Sequence, residues 1–251
     1  MTVYEKLITI AAKRKTAFLV LLDPDKTTPS SLAGYAKAME AAGADAFLIG
    51  SSLMISSDFE KAVRTVKRAV KSPLIIFPNG SGVLSGSADA VLYMSLISGR
   101  NPNLLIGEQV KAAPMIKSLK LEAIPTGYIL IESGNLTSVS YLSNTMPIPR
   151  NKPDIVKAHA LAAQYLGMKF VYLEAGSGAS IPVSPEIVKA VRDYVDLPII
   201  VGGGVKDPSY AHRLASAGAA FVVIGNVLED EKSDVLARSF ARAIHHSENG
   251  R

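Results

Sequence analysis

The chain has 251 residues, 48% of them hydrophobic and 20% charged, which is a globular composition, long enough to bury a sizeable core and too apolar for disorder. It contains no cysteine, which excludes disulfides, thiolate metal sites and cysteine nucleophiles and suits a reducing compartment, with the cytoplasm as the expectation. The formal charge of +5 is spread over helical segments rather than gathered in a basic run interleaved with aromatics, so nucleic acid is a poor partner and anionic small molecules are a better one.

Met1 to Ile10 is a short amphipathic pattern carrying Glu5 and Lys6, without the long apolar stretch of a secretory signal or membrane span. Beyond it, apolar β-branched runs alternate with amphipathic ones, the pattern of βα units around a parallel sheet. The strand-like runs are Ala17 to Leu22, Ala46 to Ile49, Pro73 to Phe77, Ala90 to Ser95, Glu122 to Ile131, Phe170 to Leu173, Pro198 to Val201 and Phe221 to Ile224. Helical patterns are clearest at Pro29 to Ala42, Phe59 to Lys71, Lys152 to Leu166, Ser184 to Tyr194, Pro208 to Ala217 and Ser233 to His245. This count and length predict one α/β domain over residues 1–251, a (β/α)8 TIM barrel.

Two segments break the rhythm. Pro78 to Asp89 is rich in Gly and Ser and too short for a full helix, so one barrel helix is expected to be replaced by irregular structure after the third strand, leaving an opening in the helical wall. Thr126 to Pro149 accumulates Gly, Ser, Thr and Pro and reads as a long functional loop.

Chemistry concentrates at strand ends. Val201-Gly202-Gly203-Gly204 and Ile224-Gly225-Asn226 each follow an apolar strand and precede a helix, where glycine bares backbone N–H groups. In barrels the loops after the seventh and eighth strands hold phosphate there, although tight βα turns without a ligand also use glycine. In Tyr172-Leu173-Glu174-Ala175-Gly176-Ser177-Gly178, alternation aims Tyr172 and Glu174 to one side and leaves Gly176 to Gly178 to wrap a ligand. Glu174 is placed to act as general base on a substrate hydroxyl, or else to be a surface acid or a lysine's partner.

Asp23-Pro24-Asp25-Lys26 ends the first strand and Gly50-Ser51-Ser52-Leu53-Met54 the second. Their oxygens suit Mg2+, and the Asp-Pro-Asp turn equally suits helix capping. His159, His212, His245 and His246 fall in helical patterns away from strand ends and carry no expected chemistry. No Ser/His/Asp set stands at strand ends, and Gly202 to Gly204 lacks the spacing of a dinucleotide fingerprint.

In order through nearly the whole chain, Asp23-Pro24-Asp25-Lys26, Gly50-Ser51-Ser52, Phe77-Pro78, Tyr172 to Gly178, Val201 to Gly204 and Gly225-Asn226 resemble the geranylgeranylglyceryl phosphate synthases and their bacterial polyprenyl counterparts. Ser143-Asn144-Thr145-Met146-Pro147-Ile148-Pro149-Arg150 with Asn151-Lys152-Pro153-Asp154 is similar to the second of that family's two groups. The resemblance implies transfer of a prenyl group, usually geranylgeranyl, from its diphosphate to the C3 hydroxyl of sn-glycerol 1-phosphate, the first ether bond of archaeal-type lipids. It makes Asp23 and Ser52 the Mg2+ ligands. It gives glycerol phosphate the residues Tyr172, Leu173, Glu174, Ala175, Gly176, Ser177 and Gly178 with Gly203, Gly204, Gly225 and Asn226.

On the same resemblance Glu174 is the base and Tyr172 orients the substrate. The tail is expected in an apolar groove where the helix near Pro78 to Asp89 is missing, since members of the family similarly lack one barrel helix. A homo-oligomer, dimer or hexamer, is implied, and Ala158 to Ala163 is a candidate contact face. Transient contact with a membrane surface is compatible with a lipid substrate. The alternative is a phosphate-binding barrel isomerase or lyase acting on a small phosphorylated metabolite, which would be expected to place acid and base on opposite strands.

Overall fold

The computed structural model describes residues 1–55, 58–228 and 233–245. Strands that are apolar on both faces must be covered on both. Here eight of them close into a parallel barrel in chain order: β1 (Ala17–Leu22), β2 (Ala46–Ile49), β3 (Leu74–Ile76), β4 (Ala90–Leu96), β5 (Glu122–Leu130), β6 (Phe170–Glu174), β7 (Ile199–Gly202) and β8 (Phe221–Ile224), which pairs back to β1. The TIM barrel expected from the strand count is therefore the fold.

Alternation sorts the side chains into two layers. Leu19, Leu48, Ile75, Leu92, Ile124, Phe170, Ile200 and Phe221 fill the barrel, while Phe18, Phe47, Val91, Val171 and Val222 face outward under the helices. The helices are α1 (Val3–Arg14), α2 (Pro29–Ala42), α3 (Phe59–Ala69), α4 (Glu108–Ser118), α5 (Ser138–Ser143), α6 (Pro153–Tyr165), α7 (Pro185–Arg192), α8 (Pro208–Ser216) and α9 (Ser233–Ile244). Local chemistry starts several of them: proline opens α2, α6, α7 and α8, and the side chains of Thr28, Ser184 and Asp207 accept the first free amides of α2, α7 and α8.

The amphipathic N-terminus folds as α1 and plugs the barrel floor, adding Val3, Leu7 and Ala11 to the inner layer. Glu122, at the start of β5, accepts the N–H groups of Val3 (2.5 Å) and Tyr4 (2.9 Å), placing a carboxylate on the positive end of that helix. No helix among the described residues is long and apolar enough to cross a membrane.

Pro78 to Asp89 carries no helix, as its composition implies. The reading of Thr126 to Pro149 as one loop needs correction. Thr126 to Leu130 continue β5 in full register with β6, from Thr126 opposite Phe170 to Leu130 opposite Glu174. The remainder holds α5 and is tied to the sheet by a bridge between Ile131 and Ile148.

The α4 region was not anticipated. It begins with a π-helical turn, Asn103–Gly107, that shifts the register, and it contains Pro114, so no clean helical period shows in the sequence. Other corrections are small: α3 ends at Ala69, not Lys71, because Val70 is extended, and α9 ends at Ile244, not His245. His246 lies outside the described residues. In the Ala158 to Ala163 stretch, Ala160 and Ala163 are wholly buried against the barrel, so intramolecular packing accounts for them.

Candidate active site

The carboxyl ends of the strands open into a cavity of about 920 Å³. Its polar end collects Asp23 and Lys26 after β1, Ser52 after β2, Tyr172 and Glu174 on β6, Ser177 and Gly178 beyond it, Gly203 and Gly204 after β7, and Gly225 and Asn226 after β8. Three of the residues implied for substrate lie apart from its lining. Leu173 and Ala175 are buried in the layer beneath the helices, and Gly176 packs so tightly that a Cβ on it would stand 2.5 Å from Thr137 Oγ1.

Glu174 is the deeply buried carboxylate of this cavity. It is only 5% exposed, and burial pushes its carboxyl up to about 7, against the opposing pull of the Gly176 amide and the hydroxyls of Tyr172 and Tyr128. Gly176, with φ of 99°, donates its N–H to Glu174 Oε1 at 2.6 Å. Burial first, and then the neighbouring Glu174 charge, hold both tyrosines well above the usual phenol range, so they remain protonated donors.

Tyr128 was not singled out in the sequence, although it falls on the inward face of β5, two positions from Thr126 and four from Ile124. The register sets it directly opposite Tyr172. With Phe77 these rings form an aromatic cluster, centroids 5.2 Å apart for Tyr128–Tyr172, 5.6 Å for Phe77–Tyr172 and 6.1 Å for Phe77–Tyr128.

Asp23 stands half-buried at the rim. One carboxylate oxygen accepts the Asp25 N–H at 3.0 Å, the capping-type turn that its sequence suits, and the other accepts the Ser51 hydroxyl at 3.4 Å, beside Ser52. Lys26 Nζ donates to Asn226 Oδ1 at 3.1 Å and Asn226 Nδ2 to Ser177 Oγ at 3.2 Å, which links the loops after β1, β8 and β6 across the mouth. Among the described residues no group of three or more His, Cys, Asp and Glu side chains gathers to hold a metal.

The described histidines, His159, His212 and His245, stay away from the cavity. His245, expected to carry no chemistry, is paired at 2.6 Å with Asp45, which precedes β2 at the opposite end of the barrel and also accepts the Phe18 N–H.

The cavity continues past Phe77 into an apolar groove. There Leu84, Val91, Tyr93, Ala112 and Ile116 line it. Val91 and Tyr93 lie on the outward face of β4, so the groove is the space that the absent helix between β3 and β4 would fill.

The chain is 44% identical to a geranylgeranylglyceryl phosphate synthase of Chitinophaga pinensis, over 97% of this chain and 96% of that one. It is 40% identical to the enzyme of the same name from Pyrococcus horikoshii, over 96% and 95%. The crystal structure of (S)-3-O-geranylgeranylglyceryl phosphate synthase from Thermoplasma acidophilum, in complex with its substrate sn-glycerol-1-phosphate, superposes with a TM-score of 0.93 at 33% identity, covering 98% of this chain and all of that one. The sequence profile of the PcrB family matches residues 10–244, and the chain belongs to that family.

Proposed function

We propose that this protein is a geranylgeranylglyceryl phosphate synthase, a prenyltransferase that joins the geranylgeranyl group of its diphosphate to the C3 hydroxyl of sn-glycerol 1-phosphate and releases diphosphate, in ether-lipid synthesis. The observation that carries the reading is one continuous cavity running from a buried carboxylate among protonated tyrosines into an apolar groove. A polar acceptor and an apolar, anionic donor can meet there.

In this mechanism the phosphate of the acceptor sits on the amides of Gly203, Gly204 and Gly225, with Ser177 and Asn226, near the start of α8. Glu174, ionised in a large fraction of molecules near neutral pH, accepts the proton of the C3 hydroxyl. The oxygen forms its bond to C1 of the prenyl group while the bond from C1 to the diphosphate oxygen breaks. Tyr172 orients the acceptor, and the Gly176 amide keeps Glu174 turned toward it.

The donor set at the rim, a carboxylate and hydroxyls, fits Mg2+, which commonly takes one or two protein ligands and completes its shell with water and substrate phosphates. Asp23 and Ser52 would hold it, and the ion supplies neutralising charge for the departing diphosphate. Self-association as a dimer or hexamer is in keeping with the exposed Leu136, Tyr141, Leu142 and Met146. The isomerase or lyase alternative would need a second acid or base facing Glu174. The cavity's other carboxylates, Asp23 and Glu108, are engaged by Asp25 and Ser51 and by Ser81 and Lys111.

The test is turnover of sn-glycerol 1-phosphate with donors from geranyl to heptaprenyl diphosphate, with Mg2+ and with EDTA. Metal-dependent prenylglyceryl phosphate supports the reading and names the preferred tail. Absence of product with every donor would move the assignment to the isomerase or lyase.

A further inference from the structure

With no helix between β3 and β4, the outer face of β4 lacks its usual cover. Two elements flank the space instead: the irregular segment 78–84 and α4. The far end of the irregular stretch is well anchored. Asp89 accepts Lys67 Nζ at 2.6 Å and the Leu74 N–H at 2.8 Å, and the Ser87 hydroxyl donates to Glu60 at 2.9 Å. Its near end reaches α4 through one charged side chain: the Ser81 N–H donates to Glu108 Oε2 at 2.7 Å.

Glu108 projects from a fixed base. The Gln109 side-chain amide donates to the carbonyls of Met94 and Leu104, and the Tyr93 hydroxyl donates to the Gln109 carbonyl at 2.6 Å, which ties the first turn of α4 and the π-helical turn to β4. Lys111 Nζ meets the other Glu108 oxygen at 2.8 Å. With these donors the Glu108 carboxyl is drawn down to about 2, so the anion persists through the physiological range. Gly80 approaches closely as well, since a Cβ there would be 3.4 Å from Glu108 Oε2. Glu108, Gly80 and Ser81 all line the cavity, alongside the apolar Leu84, Ala112 and Ile116.

We propose that the Ser81–Glu108 contact is a strap across the groove left by the missing helix, and that Glu108 is thereby a positioning residue that sets donor specificity by fixing the groove's width around the prenyl tail. The proposal rests on the prenyltransferase reading. With the strap made, segment 78–84 and α4 form two walls at a fixed separation, and a long tail buries its methylenes against both. With it broken, the segment is free to move outward and the tail loses one wall, whereas glycerol phosphate, held at the other end of the cavity, is unaffected.

The experiment compares wild type with Glu108→Ala, Glu108→Gln and Lys111→Ala in steady-state kinetics, with folding checked by circular dichroism. For Glu108→Ala the expected result is a rise of about tenfold in KM for geranylgeranyl diphosphate, the weight of one charge-assisted hydrogen bond. The kcat and the KM for sn-glycerol 1-phosphate should stay near wild type, and geranyl diphosphate, with half the tail, should be less affected. Glu108→Gln, which keeps an acceptor for Ser81, should fall between the two, and Lys111→Ala, losing only an exposed pair, should change little. An unchanged donor KM in Glu108→Ala, or an equal rise for geranyl and geranylgeranyl diphosphate, would overturn the strap. Failure of the wild type to turn over any prenyl diphosphate would instead overturn the functional reading on which it rests.

Discussion

Gly202 lies opposite Glu174 in the register between β6 and β7, and a Cβ on it would stand 3.1 Å from Glu174 Oε2 and 2.5 Å from Tyr172 Oη. The glycine that ends β7 and the one that follows it thus have a steric role of their own. They leave the room in which the buried carboxylate and its tyrosine fit.

Gly203→Ala tests that role. The residue has φ of 83°, and the added methyl would come within 2.2 Å of Glu174 Oε1 and 2.6 Å of the Gly176 nitrogen. Left-handed strain of about 1–3 kcal/mol plus displacement of the base should lower kcat/KM by roughly 100-fold. Retention of wild-type kcat/KM would show that the loop yields without moving Glu174.

Glu174→Gln removes the proposed base while keeping the shape. A fall in kcat of roughly 100- to 10,000-fold is expected, with sn-glycerol 1-phosphate still bound in calorimetry. Wild-type kcat/KM should rise with pH through about 7 as the carboxyl loses its proton. Stability should run the other way: the folded value lies above the ordinary 4.5, so the folded state holds the extra proton, and its advantage fades as pH climbs from 4.5 to about 7. Above that window Glu174→Gln should be the more stable protein, on the order of 2 kcal/mol, read as a higher Tm at pH 8 than wild type. A lower Tm there would contradict the burial penalty assigned to this group.

Asp23→Asn addresses the proposed metal. The neutral amide keeps an oxygen for the Asp25 amide but loses the charge, so the Mg2+ concentration for half-maximal activity should rise about tenfold or more. Titration of activity against Mg2+ reads this directly, and an unshifted midpoint would remove Asp23 from the metal site.

Glu122→Gln separates fold from chemistry. It weakens the carboxylate contact with the first amides of α1, far from the cavity, and should lower stability by about 1 kcal/mol in urea unfolding with both KM values unchanged. A change in substrate KM would mean that the barrel floor communicates with the mouth.

The eight strands were legible because each is a largely apolar run that stands apart from the amphipathic stretches around it, and because period-two alternation is a local property of the chain. It places Tyr172 and Glu174 on one side without reference to any other strand. The gap after β3 was legible for the same kind of reason, since Pro78 to Asp89 holds too few helix formers to build one. The helix α4 was not, because a π-helical turn and Pro114 disturb the period on which recognition depends.

What the chain determined unaided was the barrel and the identity of the residues at its strand ends. Barrel closure decided the rest: it set Tyr128 opposite Tyr172 and buried Glu174 deeply enough to raise its pKa to about 7. Desolvation and cross-strand register are properties of neighbours distant in sequence, so no local pattern carries them. The contact between Ser81 and Glu108 is of that kind too, joining the irregular segment after β3 to the first residue of α4 across the space where a helix is missing.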